Sequence, residues 1–231
     1  MFFKSGEYAM KNNDSLPITK EILMHINGKN IYGNLKIPEK AEGLVIFAHG
    51  SGSGRFSPRN MHVAGILNKN GLGTLLFDLL TAEEEKIDNY SGEYRFNIEL
   101  LGERLIGVTD WLIKEPPITI KGLKFGYFGA STGAAAALTA AAERPSVIYA
   151  VVSRGGRPDL AMKSLHRVKA PTLLIVGGED FEVIELNRTA YENIPAKKKL
   201  EIIPGATHLF EEPGALEEVA RLSAGWFAKY L

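Results

Sequence analysis

No cysteine occurs among the 231 residues. Disulfides, thiolate metal sites and a cysteine nucleophile are thereby excluded. An excess of charge is missing as well: 27 Lys and Arg balance 27 Asp and Glu, so nothing advertises nucleic acid or an anionic membrane as a partner. No apolar run is long enough to cross a bilayer, and the stretch from Met1 to Glu7 has no apolar h-region. The sequence therefore reads as cytoplasmic. Histidine is scarce, five in all, and none pairs closely with acidic residues as a zinc or iron site requires. No metal and no cofactor is expected.

What is present is a regular alternation. Ile18 to Ile26 and Ile31 to Ile37 are strand-like runs joined by Asn27-Gly28, a hairpin signal because both positions tolerate positive φ. Strand and helix patterns then alternate. Strand candidates are 44–48, 73–77, 123–128, 147–152, 172–176 and 200–203; residues 58–69 and 214–228 read as helices. Ile98, Leu101, Leu105, Val108 and Leu112 recur at helical spacing. Two antiparallel strands followed by β/α units predict an α/β fold, a mostly parallel sheet with helices on both faces. The 45% hydrophobic composition supports one core, so residues 1–17 are read as a polar arm and 18–231 as a single domain. The polar segment 78–94 reads as a surface loop in preference to a mobile flap.

In such sheets ligands bind at the carboxyl ends of strands, and the chemistry-bearing residues cluster there. Gly129-Ala130-Ser131-Thr132-Gly133 lies between a strand pattern and an alanine-rich helix former, the setting of a nucleophile elbow that lifts a serine Oγ clear of the sheet. His208 follows the last strand candidate and suits a general base. An orienting acid is expected after the preceding strand, where Gly177-Gly178-Glu179-Asp180-Phe181-Glu182 offers Asp180 first, with Glu179 or Glu182 as substitutes. His49-Gly50-Ser51-Gly52-Ser53-Gly54 follows another strand and suits an oxyanion hole, with the N–H of Thr132 as one donor and that of Ser51, or else Gly52, as the second. As a dinucleotide fingerprint the same stretch fails on glycine spacing, and no Lys-Ser/Thr pair makes it a phosphate loop. His49 is expected to brace this loop. Arg55, Arg59, Arg154 and Arg157 fall near strand ends; Arg55, Arg154 and Arg157 are candidates for clamping a substrate carboxylate, or they tie loops together through Asp159 and the acidic loop. Phe56, Phe181 and Phe210 line an acyl pocket or simply pack.

The chain order Ser131, Asp180, His208, with His-Gly after the third strand, Gly-x-Ser-x-Gly after the fifth, Gly-Gly-x-Asp after the seventh and His after the eighth, resembles the α/β-hydrolase superfamily. The short chain without room for a lid resembles its dienelactone hydrolase-like group. That resemblance implies an eight-stranded α/β-hydrolase fold without a lid domain and an acyl-enzyme route on a small acyl substrate, without a cofactor. Dienelactone hydrolases proper use a cysteine nucleophile. The serine here implies a carboxylesterase instead, with acyl transfer, peptide hydrolysis or perhydrolysis on the same triad, or a catalytically silent binding protein, as alternatives.

Overall fold

The computed structural model describes residues 17–117 and 120–231. Eight strands form one sheet in the order β1-β2-β4-β3-β5-β6-β7-β8. They are β1 (Ile18–Ile26), β2 (Lys29–Ile37), β3 (Gly43–Ala48), β4 (Leu72–Phe77), β5 (Lys124–Ala130), β6 (Ile148–Arg154), β7 (Thr172–Gly177) and β8 (Lys198–Ile203). The Asn27-Gly28 hairpin forms as expected, with φ of 50° and 76°, and pairs β1 with β2 antiparallel. β2 pairs antiparallel with β4, and every later pairing is parallel. Apart from Pro17, the expected N-terminal arm lies outside the described residues.

Alternation within the central strands divides the core between two faces. Leu44, Ile46 and Ala48 of β3 join a cluster with Leu101, Leu105 and Val108, on the face covered by α3 (Ile98–Lys114) and α4 (Thr132–Glu143). Val45 and Phe47 face the other way, toward α1 (Pro58–Lys69) and α7 (Ala215–Tyr230). A 3-10 turn (Pro158–Ala161), the one-turn α5 (Met162–Leu165) and α6 (Phe181–Asn193) complete the helices on either side of β7. Between β6 and β7 there are only this turn and α5, and no lid is inserted there.

Residues 78–94 depart from the expectation of a surface loop, because Ala82–Ser91 is a helix, α2. Its start is fixed by a capping box in which the Thr81 hydroxyl accepts the Glu84 N–H and the Glu84 carboxylate accepts the Thr81 N–H. Its end is Gly92 in the left-handed conformation, φ 67°. The local cue was the Thr-x-x-Glu spacing; polarity over three successive glutamates obscured it.

The sheet order reverses between β3 and β5. The chain leaves β3 through α1 toward β4 on one side and returns to β5 on the other. This switch point leaves a crevice at the carboxyl ends of the two strands, where side chains from separate loops converge.

Candidate active site

Strand β5 delivers Ser131 into that crevice. The residue sits at φ 50°, ψ −121°, a backbone conformation costing a non-glycine residue on the order of 1–3 kcal/mol, which surrounding structure must hold. The hold is visible: the Ser131 N–H donates to the Arg154 carbonyl, and the Ser131 carbonyl accepts from the N–H groups of Ala134 and Arg157. Both flanking glycines are required by close approach. A Cβ on Gly129 would lie 2.4 Å from the Ala134 Cα, and one on Gly133 would lie 2.2 Å from the Ala48 carbonyl oxygen. The buried alanines 134–137 and 140–142 let α4 settle on the sheet. The positive, N-terminal end of α4 begins directly after Ser131 and so faces the same crevice.

The β7–α6 and β8–α7 loops are laced together by backbone. Gly178 donates to the Ile203 carbonyl at 2.8 Å and Glu179 to the Ala206 carbonyl at 2.9 Å. Asp180 occupies the N-cap position of α6, yet its carboxylate does not cap the helix. Instead its Oδ2 lies 2.6 Å from His208 Nδ1. The other ring nitrogen, Nε2, is 3.4 Å from Ser131 Oγ. With Nδ1–H donating to the carboxylate, Nε2 is the unprotonated face turned to the serine. The 3.4 Å separation is the loose spacing usual before a substrate is bound. Of the three acids weighed from sequence, the structure brings Asp180 to the histidine, whereas Glu179 and Glu182 are exposed.

The glycine loop after β3 meets the elbow directly. Ser51 donates its N–H to Thr132 Oγ1 at 3.1 Å, which sets the loop beside the first turn of α4 and occupies the Ser51 donor. His49 is fixed behind it. Its Nε2 accepts the Leu79 N–H at 2.9 Å and its Nδ1–H donates to the Gly50 carbonyl at 2.9 Å, so the ring is held neutral. Burial pushes its pKa below the ordinary 6.5, outweighing the backbone bond to Gly50. Bracing is the role that the sequence suggested for this histidine.

The three candidate clamp arginines fare differently, and the expectation is corrected for two of them. Arg55 is bound to Asp78 and Glu21 and lies against the rings of Tyr32 and Phe56. Arg157 makes a bidentate pair with Asp159 at 2.9 and 2.8 Å. Their forks are filled by carboxylates of this chain. Asp78 is 23 residues from Arg55, a separation that local sequence reading cannot bridge. Arg154 is buried, and its Nε and Nη1 have no hydrogen-bond partner among the described residues. Phe56 and Phe181 are exposed, while Phe210 is turned into the core.

The family model that matches this chain, over residues 112–227, is that of the dienelactone hydrolase family. The chain belongs to this family. A dienelactone hydrolase from Anabaena variabilis ATCC 29413, known from a crystal structure, is 56% identical, with a TM-score of 0.91 over 94% of this chain and 99% of that one. Two Mycobacterium tuberculosis proteins, each named "Putative phosphoribosyl transferase", are 57% identical over 201 residues, which is 87% of this chain. That stretch is 44% of their length, so the chain spans less than half of these curated relatives. Est1E from Butyrivibrio proteoclasticus, 16% identical, shares the fold at a TM-score of 0.73, covering 90% of this chain and 99% of Est1E. In this member of the dienelactone hydrolase family the elbow residue is a serine.

Proposed function

We propose that this member of the dienelactone hydrolase family is a serine hydrolase that cleaves an ester or related acyl bond of a small substrate through an acyl-enzyme. The observation that carries the reading is one imidazole bridging a carboxylate and a strained serine, each delivered by a different strand end. Ser131 Oγ attacks the acyl carbonyl carbon as His208 Nε2 takes its proton, and Asp180 holds the ring by Nδ1–H and stabilises the imidazolium. Thr132 N–H, at the start of α4, and Ser51 N–H receive the oxyanion. The Ser51 donor exchanges the neutral Thr132 hydroxyl for a charged oxygen, the stronger acceptor. Each such donor lowers the barrier by about 3 kcal/mol. Collapse expels the leaving group with the proton from His208; water then attacks the acyl-enzyme by the same route, releasing the acid and regenerating Ser131.

The stretch shared with the mycobacterial relatives is less than half of those proteins, and the arrangement of Ser131, His208 and Asp180 supports acyl chemistry. Intact mass after exposure to a fluorophosphonate tests the proposal. One adduct is expected on the wild type, absent in Ser131→Ala and formed at least about 100-fold more slowly in His208→Ala, the usual effect of a lost general base. No adduct on the folded wild type would overturn it in favour of a binding protein.

A further inference from the structure

A fully buried asparagine in the middle of a helix is a costly choice, because an apolar residue of the same size would pack there with no polar group to satisfy. Asn187 of α6 is such a residue. It is 0% exposed, and its Oδ1 has no partner among the described residues. The amide end is fully used: Nδ2 donates to the Val183 carbonyl at 2.8 Å and to the Gly156 carbonyl at 3.0 Å. Only the end with two N–H groups can meet two carbonyls, which fixes the orientation of the side chain. The first bond stays within α6. The second leaves the helix for residues 154–157, at the end of β6.

That short segment meets all three triad-bearing parts of the chain. The Arg154 carbonyl accepts the Ser131 N–H at 3.2 Å, and the Arg157 N–H donates to the Ser131 carbonyl at 3.1 Å. Gly155 donates its N–H to the Ile175 carbonyl of β7 at 2.8 Å, and a Cβ on Gly155 would lie 3.1 Å from the His208 carbonyl oxygen. Asp180 stands at the head of α6, the helix that carries Asn187. The Gly156 carbonyl and the Arg157 N–H belong to one planar peptide unit. By holding that carbonyl, Asn187 aims the N–H at Ser131, and hydrogen bonds chained in this way polarise one another in a low-dielectric interior. The peptide is closely packed as well, since a Cβ on Gly156 would collide with Ser153 Oγ and lie 2.7 Å from the Ala134 Cβ.

We propose that Asn187 is a positioning residue: through the Gly156–Arg157 peptide it holds the strained backbone of Ser131 in register with Asp180. A residue at φ 50°, ψ −121° keeps that conformation only while its surroundings over-determine it. Asn187 bonds backbone carbonyls and no triad side chain, so its removal acts on the rate of attack and not on substrate binding. The catalytic part of this inference rests on the serine hydrolase reading, whereas the hold on the Ser131 backbone does not.

The test compares the full wild-type chain with Asn187→Leu, which keeps the size and removes the donor, and with Phe227→Ala, a core truncation in α7. In Asn187→Leu, kcat for 4-nitrophenyl acetate and the fluorophosphonate labelling rate, each per folded molecule, are expected to fall about 10- to 100-fold, with KM changed by less than about twofold. Phe227→Ala is expected to lower Tm and keep both rates. Asn187→Asp, of nearly the same shape, gives the same split should Asn187→Leu fail to melt cooperatively. Unchanged rates in a folded Asn187 variant, a change confined to KM, or an equal loss in Phe227→Ala would overturn the positioning role. Hydrogen exchange at the Arg157 amide reads the hold without any chemistry. It should quicken at least about tenfold in the Asn187 variant relative to the amides of β5, and unchanged exchange would overturn the link. A wild type that neither labels nor turns over would overturn the serine hydrolase reading, and the exchange measurement would still decide for or against the hold on Ser131.

Discussion

His49 shows how one side chain can set a pH limit on the whole site. Its neutral ring joins the glycine loop to the residue after Asp78 through a bond that only unprotonated Nε2 can accept. Because burial lowers its pKa in the folded state, the unfolded chain takes up a proton first as pH falls below 6.5. Stability is therefore full above that pH and declines as pH drops toward the folded pKa. Thermal melts should show Tm falling between pH 7 and pH 5. His49→Gln should flatten that slope at the cost of a lower Tm at pH 7. The carboxylates Glu84, Asp88 and Asp110 are all held below their ordinary values, against the effect of burial, by bonds to Arg104, to Arg95 and the backbone, and to Arg144 respectively. Their contributions are lost only below about pH 4.5, outside the histidine window.

At the scale of elements, α2 is the clearest case of tertiary anchoring. A helix of ten residues has little stability of its own, and here it is tied down from beneath. Arg104 on α3 reaches Glu84 with both Nη atoms at 3.0–3.2 Å and donates to the Leu79 carbonyl. Asp88 accepts the N–H groups of Tyr94 and Arg95 and pairs with the Arg95 guanidinium. Removing one partner of a buried pair leaves the other charge uncompensated. Arg104→Met should accordingly destabilise the protein by about 3–5 kcal/mol in urea unfolding, and adding Glu84→Gln should restore a substantial part of the loss. Full additivity of the two substitutions would show that the pair does not couple. The anchoring also answers the question of a flap over 78–94: the segment is a capped helix bound to α3.

Across the described residues the sheet is covered by helices on both faces, with a large buried cluster on each. Phe227 of α7 is fully buried against β5, at Gly126, where an added Cβ would come within 2.7 Å of its ring. Phe227→Ala should cost about 3–5 kcal/mol of unfolding free energy, from lost burial plus the cavity left behind. Since Phe227 lies on the face opposite α4, Ser131 should still label with a fluorophosphonate in the fraction that remains folded. Among the described residues no helix is long and apolar enough to cross a membrane.

Much of this architecture is legible in the linear sequence because the relevant physics is local. Alternation of apolar residues with period two or 3.6 specifies strands and helices, Asn27-Gly28 specifies a hairpin, and glycines on both sides of Ser131 specify a turn where helix and strand pass closely. The order of Ser131, Asp180 and His208 after strands β5, β7 and β8 belongs to the same category, since a parallel sheet places all such loops on one edge. Tertiary structure alone decided the rest. It selected Asp180 over Glu179 and Glu182, because backbone bonds between two loops set which carboxylate meets the imidazole. It also separated Arg154 from Arg55 and Arg157. The latter two find acids in the folded chain and Arg154, among the described residues, does not; pairing between charges distant in sequence exists only once the fold has brought them together.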